Sequence, residues 1–184
     1  MKREDYPSVT EVLGVYQDWG AIPPDVLERA AARGTEAHKA CHAIVKGAWF
    51  PYGEWTIGYV ESFKKWFDKY VDRVIMAEQV LYDDVHRFVG HPDLICILKG
   101  ESLPVVVDYK TPVAVNKMWR FQIVGYMVLY MILSGVGYHS RRGMCLMLDP
   151  GGKMARAVVY EYDPRDEAAF LAAVSAYNYI KKGA

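Results

Sequence analysis

The chain has 184 residues, with 22 Lys and Arg balanced by 22 Asp and Glu, 52% hydrophobic and 24% charged side chains. This is a globular composition of about one domain's length, and it excludes a disordered tail or a uniformly basic nucleic-acid coat. Cys41, Cys96 and Cys145 are too few and too scattered for a zinc ribbon or a four-cysteine cluster, and read as free thiols of a reducing compartment.

The charged opening Met1–Asp5 predicts no secretory signal, and the most apolar stretch, Ile123–Tyr138, is too short and too rich in Gly and Tyr to span a bilayer. A cytoplasmic or nucleoid-associated protein without a membrane anchor is expected. In chain order, residues 7–18 predict a short helix opened by Ser8 or Thr10 and stopped at Ile22-Pro23-Pro24. Asp25 with Glu28 predicts an N-cap, and Leu27, Ala30, Ala31, Gly34, Ala37, His38, Cys41 and Val45 then share a helical face. A second amphipathic helix is predicted over 54–72, with Tyr59, Val60, Phe63, Phe67, Tyr70 and Val71 inward.

The period then becomes two. Strands are predicted over 74–82, 85–90, 93–99 and 104–110, with turns at Asp83-Asp84 and Lys99–Ser102. Asn116 opens a long apolar helix to about Leu133. Strands over 143–149 and 155–162 flank Asp149-Pro150-Gly151-Gly152, and Asp163-Pro164 opens a last helix to about Ile180. This order predicts an α/β fold, a mixed central sheet flanked by helices, in a single domain with a helical part at 1–72, a sheet-and-helix part at 73–162 and a final helix at 163–184.

Alternation places Val106, Asp108 and Lys110 on one face of strand 104–110. An exposed ion pair at a strand end is one reading. Pairing of 93–99 with 104–110 brings Asp93 towards Asp108, and two adjacent carboxylates call for a cation or a proton. A hard divalent ion suits oxygen ligands of this kind, while a turn role for Asp93 is the alternative. Glu78 lies in the first predicted strand, facing either water or the site. His38 sits on an apolar helical stripe, where a buried structural histidine is common. His38 and His42 are one turn apart, but a zinc-peptidase helix would need Glu at 39, and this chain has Lys39. Gln122 and Tyr126 share a helix face.

Taken in order, Arg33-Gly34-Thr35-Glu36-Ala37-His38, Gly90-His91-Pro92-Asp93, Val107-Asp108-Tyr109-Lys110-Thr111 and Gln122-Ile123-Val124-Gly125-Tyr126 resemble the motifs of the PD-(D/E)XK nuclease superfamily. They are most similar to its RecB-like exonuclease branch. The resemblance covers about 33–126 and implies a restriction-endonuclease-like core. It implies an Mg²⁺- or Mn²⁺-dependent deoxyribonuclease, an exonuclease on single- or double-stranded DNA ends in recombination, repair or phage replication, with a protein partner of those processes. A nuclease-fold binding module without activity is the other outcome.

The resemblance makes Asp93, Asp108, His38 and the Tyr109 main-chain carbonyl metal ligands. It makes Lys110 catalytic beside Asp108 and Asp93, with Glu78 as an upstream acid. Arg33, Gln122 and Tyr126 would face substrate. Two departures stand out: many superfamily members carry Glu where this chain has Asp108, and the cysteine set of the iron–sulfur members is missing, which implies a cluster-free relative.

Charge is unevenly spread: residues 1–92 hold 11 basic and 14 acidic side chains, and residues 93–184 hold 11 and 8. Lys117, Arg120, Arg141 and Arg142 are therefore expected to contact the DNA backbone. Trp49, Phe50 and Tyr52, in the loop between the two helices, are candidates for stacking on bases.

Overall fold

A computed structural model describes residues 2–18, 20, 22–111, 114–135 and 141–182. After a short 3₁₀ turn at Arg3–Asp5 come α1 (Val9–Gly14), α2 (Pro24–Val45) and α3 (Ile57–Tyr70). Strands β1 (Val71–Ala77), β2 (Leu81–Asp83), β3 (Phe88–Gly90), β4 (Leu94–Leu98) and β5 (Pro104–Lys110) follow. Then come α4 (Met118–Ser134), β6 (Arg142–Met147), β7 (Arg156–Glu161) and α5 (Pro164–Lys182).

The main sheet runs β1-β4-β5-β6-β7. β5 and β6 are parallel, joined through α4, and the other neighbours are antiparallel. The sheet is thus mixed, as expected. Alternation sends Leu94, Cys96, Val105, Val107, Tyr109 and Leu146 into one core with α2 and α3. Ile95, Val106, Cys145 and Met147 enter a second core with α1, α4 and α5. Both faces are covered by helices, which explains why β4, β5 and β6 read as nearly continuous apolar runs. α4, with ten buried residues from Trp119 to Tyr130, is the helix most deeply packed on the sheet. Among the described residues, no helix is long and apolar enough to cross a membrane. Residues 136–138 of the apolar stretch lie outside the described residues.

Several boundaries shift for local reasons. Ser8 caps α1 through a capping box with Glu11, but the helix stops at Gly14. Asp25 is not the cap of α2: Pro24 takes the first helical position after Pro23, and Asp25 pairs with Arg29 instead, at 2.6 Å. The buried residues of α2 are confined to Ala37, Ala40 and Cys41, so its first turns project from the body. Tyr70 closes α3 and is 39% exposed, because the chain turns there into β1. The strand predicted over 74–82 is two elements. Glu78 adopts a left-handed φ of 49° and ends β1. β2 and β3 then form a separate hairpin, whose turn is held by Asp83.

Gly58 is required by close approach: a Cβ there would overlap the Pro150 carbonyl oxygen, so the start of α3 rests on the β6–β7 turn. That turn is organised by Asp149, whose Oδ1 accepts from Gly151 N at 2.8 Å and Lys153 N at 3.2 Å.

Candidate active site

The antiparallel register of β4 and β5 pairs Leu94 with Val107, so Asp93 and Asp108 meet where the two strands end. Asp93 Oδ2 accepts the Tyr109 main-chain N–H at 2.5 Å, which locks the carboxylate across the strand gap. Its Oδ1 lies 3.0 Å from His38 Nδ1. α2 therefore enters the site through His38, one residue past the buried Ala37. The His38 ring also meets Tyr109 edge-on, with centroids 5.6 Å apart.

Asp108 is held from α4. Its Oδ1 accepts from Gln122 Nε2 at 3.0 Å. Lys110 Nζ stands 2.5 Å from Asp108 Oδ2 and donates to Gln122 Oε1 at 2.8 Å. Asp108 Oδ2 is buried, and the Lys110 ammonium is its one close partner. Gln122 Nε2 also donates to Tyr126 Oη at 3.1 Å, which fixes the amide with its oxygen towards the lysine. Lys110 Nζ lies 5.7 Å from the centre of the Trp119 ring. Gln122 and Tyr126 thus join the acid and the lysine because they sit one turn apart on the face of α4 that meets β5.

Burial and charge compete at each titrating group. Burial lowers the His38 pKa, but the Asp93 charge and hydrogen bond outweigh it and hold the ring at about 9. Burial raises Asp108, and Asp93 adds to this against the opposing pull of Lys110. Burial also works against the Lys110 ammonium, yet Asp108 raises its pKa overall, so the lysine is charged at neutral pH. All three cysteines are buried and free, and burial pushes their thiols up, Cys96 to about 12. They are poor nucleophiles and poor ligands as placed.

Glu78 does not join the two aspartates. Its N–H donates to the Asp93 carbonyl at 3.1 Å, but its carboxylate turns to His42, at 3.7 Å. His42 is the partner the sequence reading missed. Its place one turn after His38 was the available signal, set aside with the zinc-peptidase pattern. Arg33 lies beside α3, with its guanidinium 5.7 Å from the centre of the Tyr59 ring and its Nε buried without a hydrogen-bond partner. Gly34 faces the end of β5, where a Cβ would meet only Thr111 Oγ1, at 3.6 Å.

The basic residues divide. Lys117 is exposed at the start of α4. Arg120 is one turn on and paired with Asp166 at 2.5 Å. Arg141 and Arg142 sit at the other end of the sheet, where Arg142 pairs with Glu101. Arg142 lies opposite Val105, and five strand residues at ~3.3 Å each separate that level from Lys110. The structure does not bring these two arginines to the aspartates. Trp49, Phe50 and Tyr52 line a groove between α2 and α3, with Trp49 84% exposed.

The donor set favours a hard divalent ion over a soft one. It offers two carboxylates at one strand end, with oxygen rather than thiolate donors beside them. Among the described residues, no group of three or more His, Cys, Asp or Glu side chains closes a metal cage. Mg²⁺ does not demand one, since it keeps several waters and is held by one or two carboxylates.

No family model matches the chain, and no curated protein matches it. Among solved structures, the crystal structure of LHK-Exo in complex with dAMP matches with 14% identity and a TM-score of 0.48. The match covers 95% of this chain and 87% of that one. A likeness at this level transfers no function, substrate or site residue.

Proposed function

We propose that the chain is a divalent-metal-dependent nuclease that hydrolyses DNA phosphodiester bonds, an exonuclease acting on DNA ends. The observation that carries this reading is that Asp93 and the Asp108–Lys110–Gln122 network lie at one end of β4 and β5, with Asp108 Oδ2 buried against the lysine alone. A carboxylate buried against an ammonium, with a second acid at the same strand end, is a costly arrangement that a bound cation would relieve.

In this reading Asp93, Asp108 and the Tyr109 carbonyl hold Mg²⁺ or Mn²⁺. When bound, the ion supplies positive charge at the phosphate and acidifies a water. The sequence motif made His38 a ligand as well. Its Nδ1 is committed to Asp93, so its proposed part is to orient that carboxylate. Lys110 is protonated and has three N–H bonds. Asp108 and Gln122 engage two, and the third is available to a phosphate oxygen that gains charge as the P–O bond breaks. A protonated lysine is an electrostatic stabiliser here and not the general base. Gln122 holds both charged groups, and Tyr126 holds Gln122. Glu78 enters only through His42 and the Asp93 main chain.

Among the described residues no third metal-ligating side chain joins the two aspartates, which fits one other reading, a nuclease-fold module that binds DNA or a partner without cutting it. Digestion of 5′- and 3′-labelled linear DNA, single- and double-stranded, beside a circular control, with Mg²⁺ or Mn²⁺, separates the two. The nuclease reading expects metal-dependent loss of linear DNA with the circle spared. Binding with no turnover of any substrate overturns it.

A further inference from the structure

We propose that the cleft leading from Lys110 between the end of α1 and the start of α4 holds the nucleoside attached to the scissile phosphate, with its base laid against Tyr16 and Met118. The proposal rests on the nuclease reading and deepens it, by naming where the sugar and base go.

Lys110 and Gln122 form the inner wall of a cavity of about 320 Å³ that is closed on the other side by Leu13, Gln17 and Met118. Gln17, Asn116 and Met118 are shared with a second space of about 290 Å³, where Tyr16 and Lys117 stand. Leu13, Tyr16 and Met118 in turn border an apolar groove of about 360 Å³ against α5, with Ala169 and Ala172 on its lip. The three spaces adjoin in a row along α1 and α4, each bordered by side chains of the next.

The chemistry changes along that row in a fixed order. It begins with an ammonium and an amide, passes hydrogen-bonding side chains, and ends on an aromatic ring, a thioether and alanines. A nucleotide has the same order: phosphate, hydroxyl-bearing sugar, then a flat base with two π-faces. Tyr16 is 56% exposed at the point where the cleft meets the apolar groove. The ring offers a π-face beside the Lys110 cleft, and stacking on such a face tolerates any base. Lys117 adds a positive charge at the mouth, opposed by Asp18 on the same wall. The aromatic loop at Trp49–Tyr52 lines a groove that has no residue in common with this row.

The test is a titration of the full chain, with Mn²⁺ present, against three probes. Thymidine 5′-monophosphate carries phosphate, sugar and base, 2-deoxyribose 5-phosphate lacks the base, and thymidine lacks the phosphate. The wild type should bind thymidine 5′-monophosphate about tenfold more tightly than 2-deoxyribose 5-phosphate. That ratio should fall to near one in Tyr16→Ala. It should also fall in Ala172→Trp, which fills the groove from an exposed position without touching the core. Lys110→Ala should weaken both phosphates together and leave the ratio intact. Equal binding of the two phosphates by the wild type, or a ratio untouched in both groove variants, overturns the proposal. No binding of thymidine 5′-monophosphate at millimolar concentration overturns it as well. A wild type that shows the ratio but cuts no DNA keeps the cleft and removes the catalytic reading. One that cuts DNA with a ratio of one removes the cleft alone.

Discussion

Asp83 and Asp108 are both buried carboxylates in chains of alternating apolar residues, and each has a basic neighbour. Asp83 is fully covered, and its oxygens accept from Val85 N at 2.8 Å, His86 N at 2.9 Å and His86 Nδ1 at 2.6 Å. Every partner comes from the next three residues. Asp108 has one partner on each oxygen, Lys110 on Oδ2 and Gln122 of a separate helix on Oδ1. The first carboxylate is saturated by the turn it builds. The second is held in place by distant elements and kept short of saturation. Burial alone therefore does not mark a working acid: the informative feature is a buried acid whose partners orient it without completing its coordination.

The largest effect that tests this contrast is on activity. Asp108→Asn and Lys110→Ala should each lower DNA cleavage at least ~10³-fold, the scale of losing a preorganised charge at the reacting group. Circular dichroism should show both variants folded. Asp83→Asn should instead lose ~2–4 kcal/mol of stability in urea, with cleavage per folded molecule kept, because it strips a buried turn of a charged acceptor. Full cleavage by folded Asp108→Asn protein would end the comparison.

Next in size is the response to metal. Mg²⁺ or Mn²⁺ at 100 times its Kd should stabilise the wild type by ~2.7 kcal/mol, read as a rise in Tm. Asp93→Ala and Asp108→Ala should lose the rise, and Asp83→Asn should keep it. An unchanged rise in Asp93→Ala places the ion elsewhere.

A smaller effect is the titration of His38 in the metal-free protein. Its ring should titrate near 9 by NMR, and Asp93→Asn should bring the value down. The folded-state pKa is raised, so the His38–Asp93 pair contributes stability fully below about 6.5 and loses it as pH rises through about 9. A ring that titrates near 6.5 breaks the pairing.

The smallest effects concern the two basic patches. Lys117→Ala should weaken DNA binding uniformly and reduce the salt slope by about one. Arg142→Ala, at the far end of the sheet, should leave that slope unchanged. The reverse result would move the DNA path to the other end of β5 and β6.

Much of the fold was legible because its signals are local. The apolar alternation over 104–110 and the apolar run of α4 follow from covalent periodicity and appear where expected. Gly100, with φ 80°, and Gly152, with φ 75°, fall within the turns expected at Lys99–Ser102 and Asp149–Gly152. Glu78 shows where legibility stopped. Its β-branched and aliphatic surroundings predict a strand, but the left-handed bend and the pairing with His42 depend on where α2 lies. The uneven charge distribution groups Arg142 with Lys117 and with the Lys110 strand, because a count along the chain carries no direction. The parallel register of β5 and β6 puts Arg142 and Lys110 at opposite ends.

By itself, the sequence determined which residue types stand at which strand and helix positions, and so a mixed sheet covered on both faces and the candidates Asp93, Asp108, Lys110 and Gln122. Only the tertiary structure decided which of them share a hydrogen-bond network, that His38 serves Asp93 while His42 serves Glu78, and that the space beyond Lys110 opens between α1 and α4. The reason is physical. Periodicity is imposed by backbone geometry within a few residues, whereas desolvation, charge pairing and cavities arise between segments far apart in the chain.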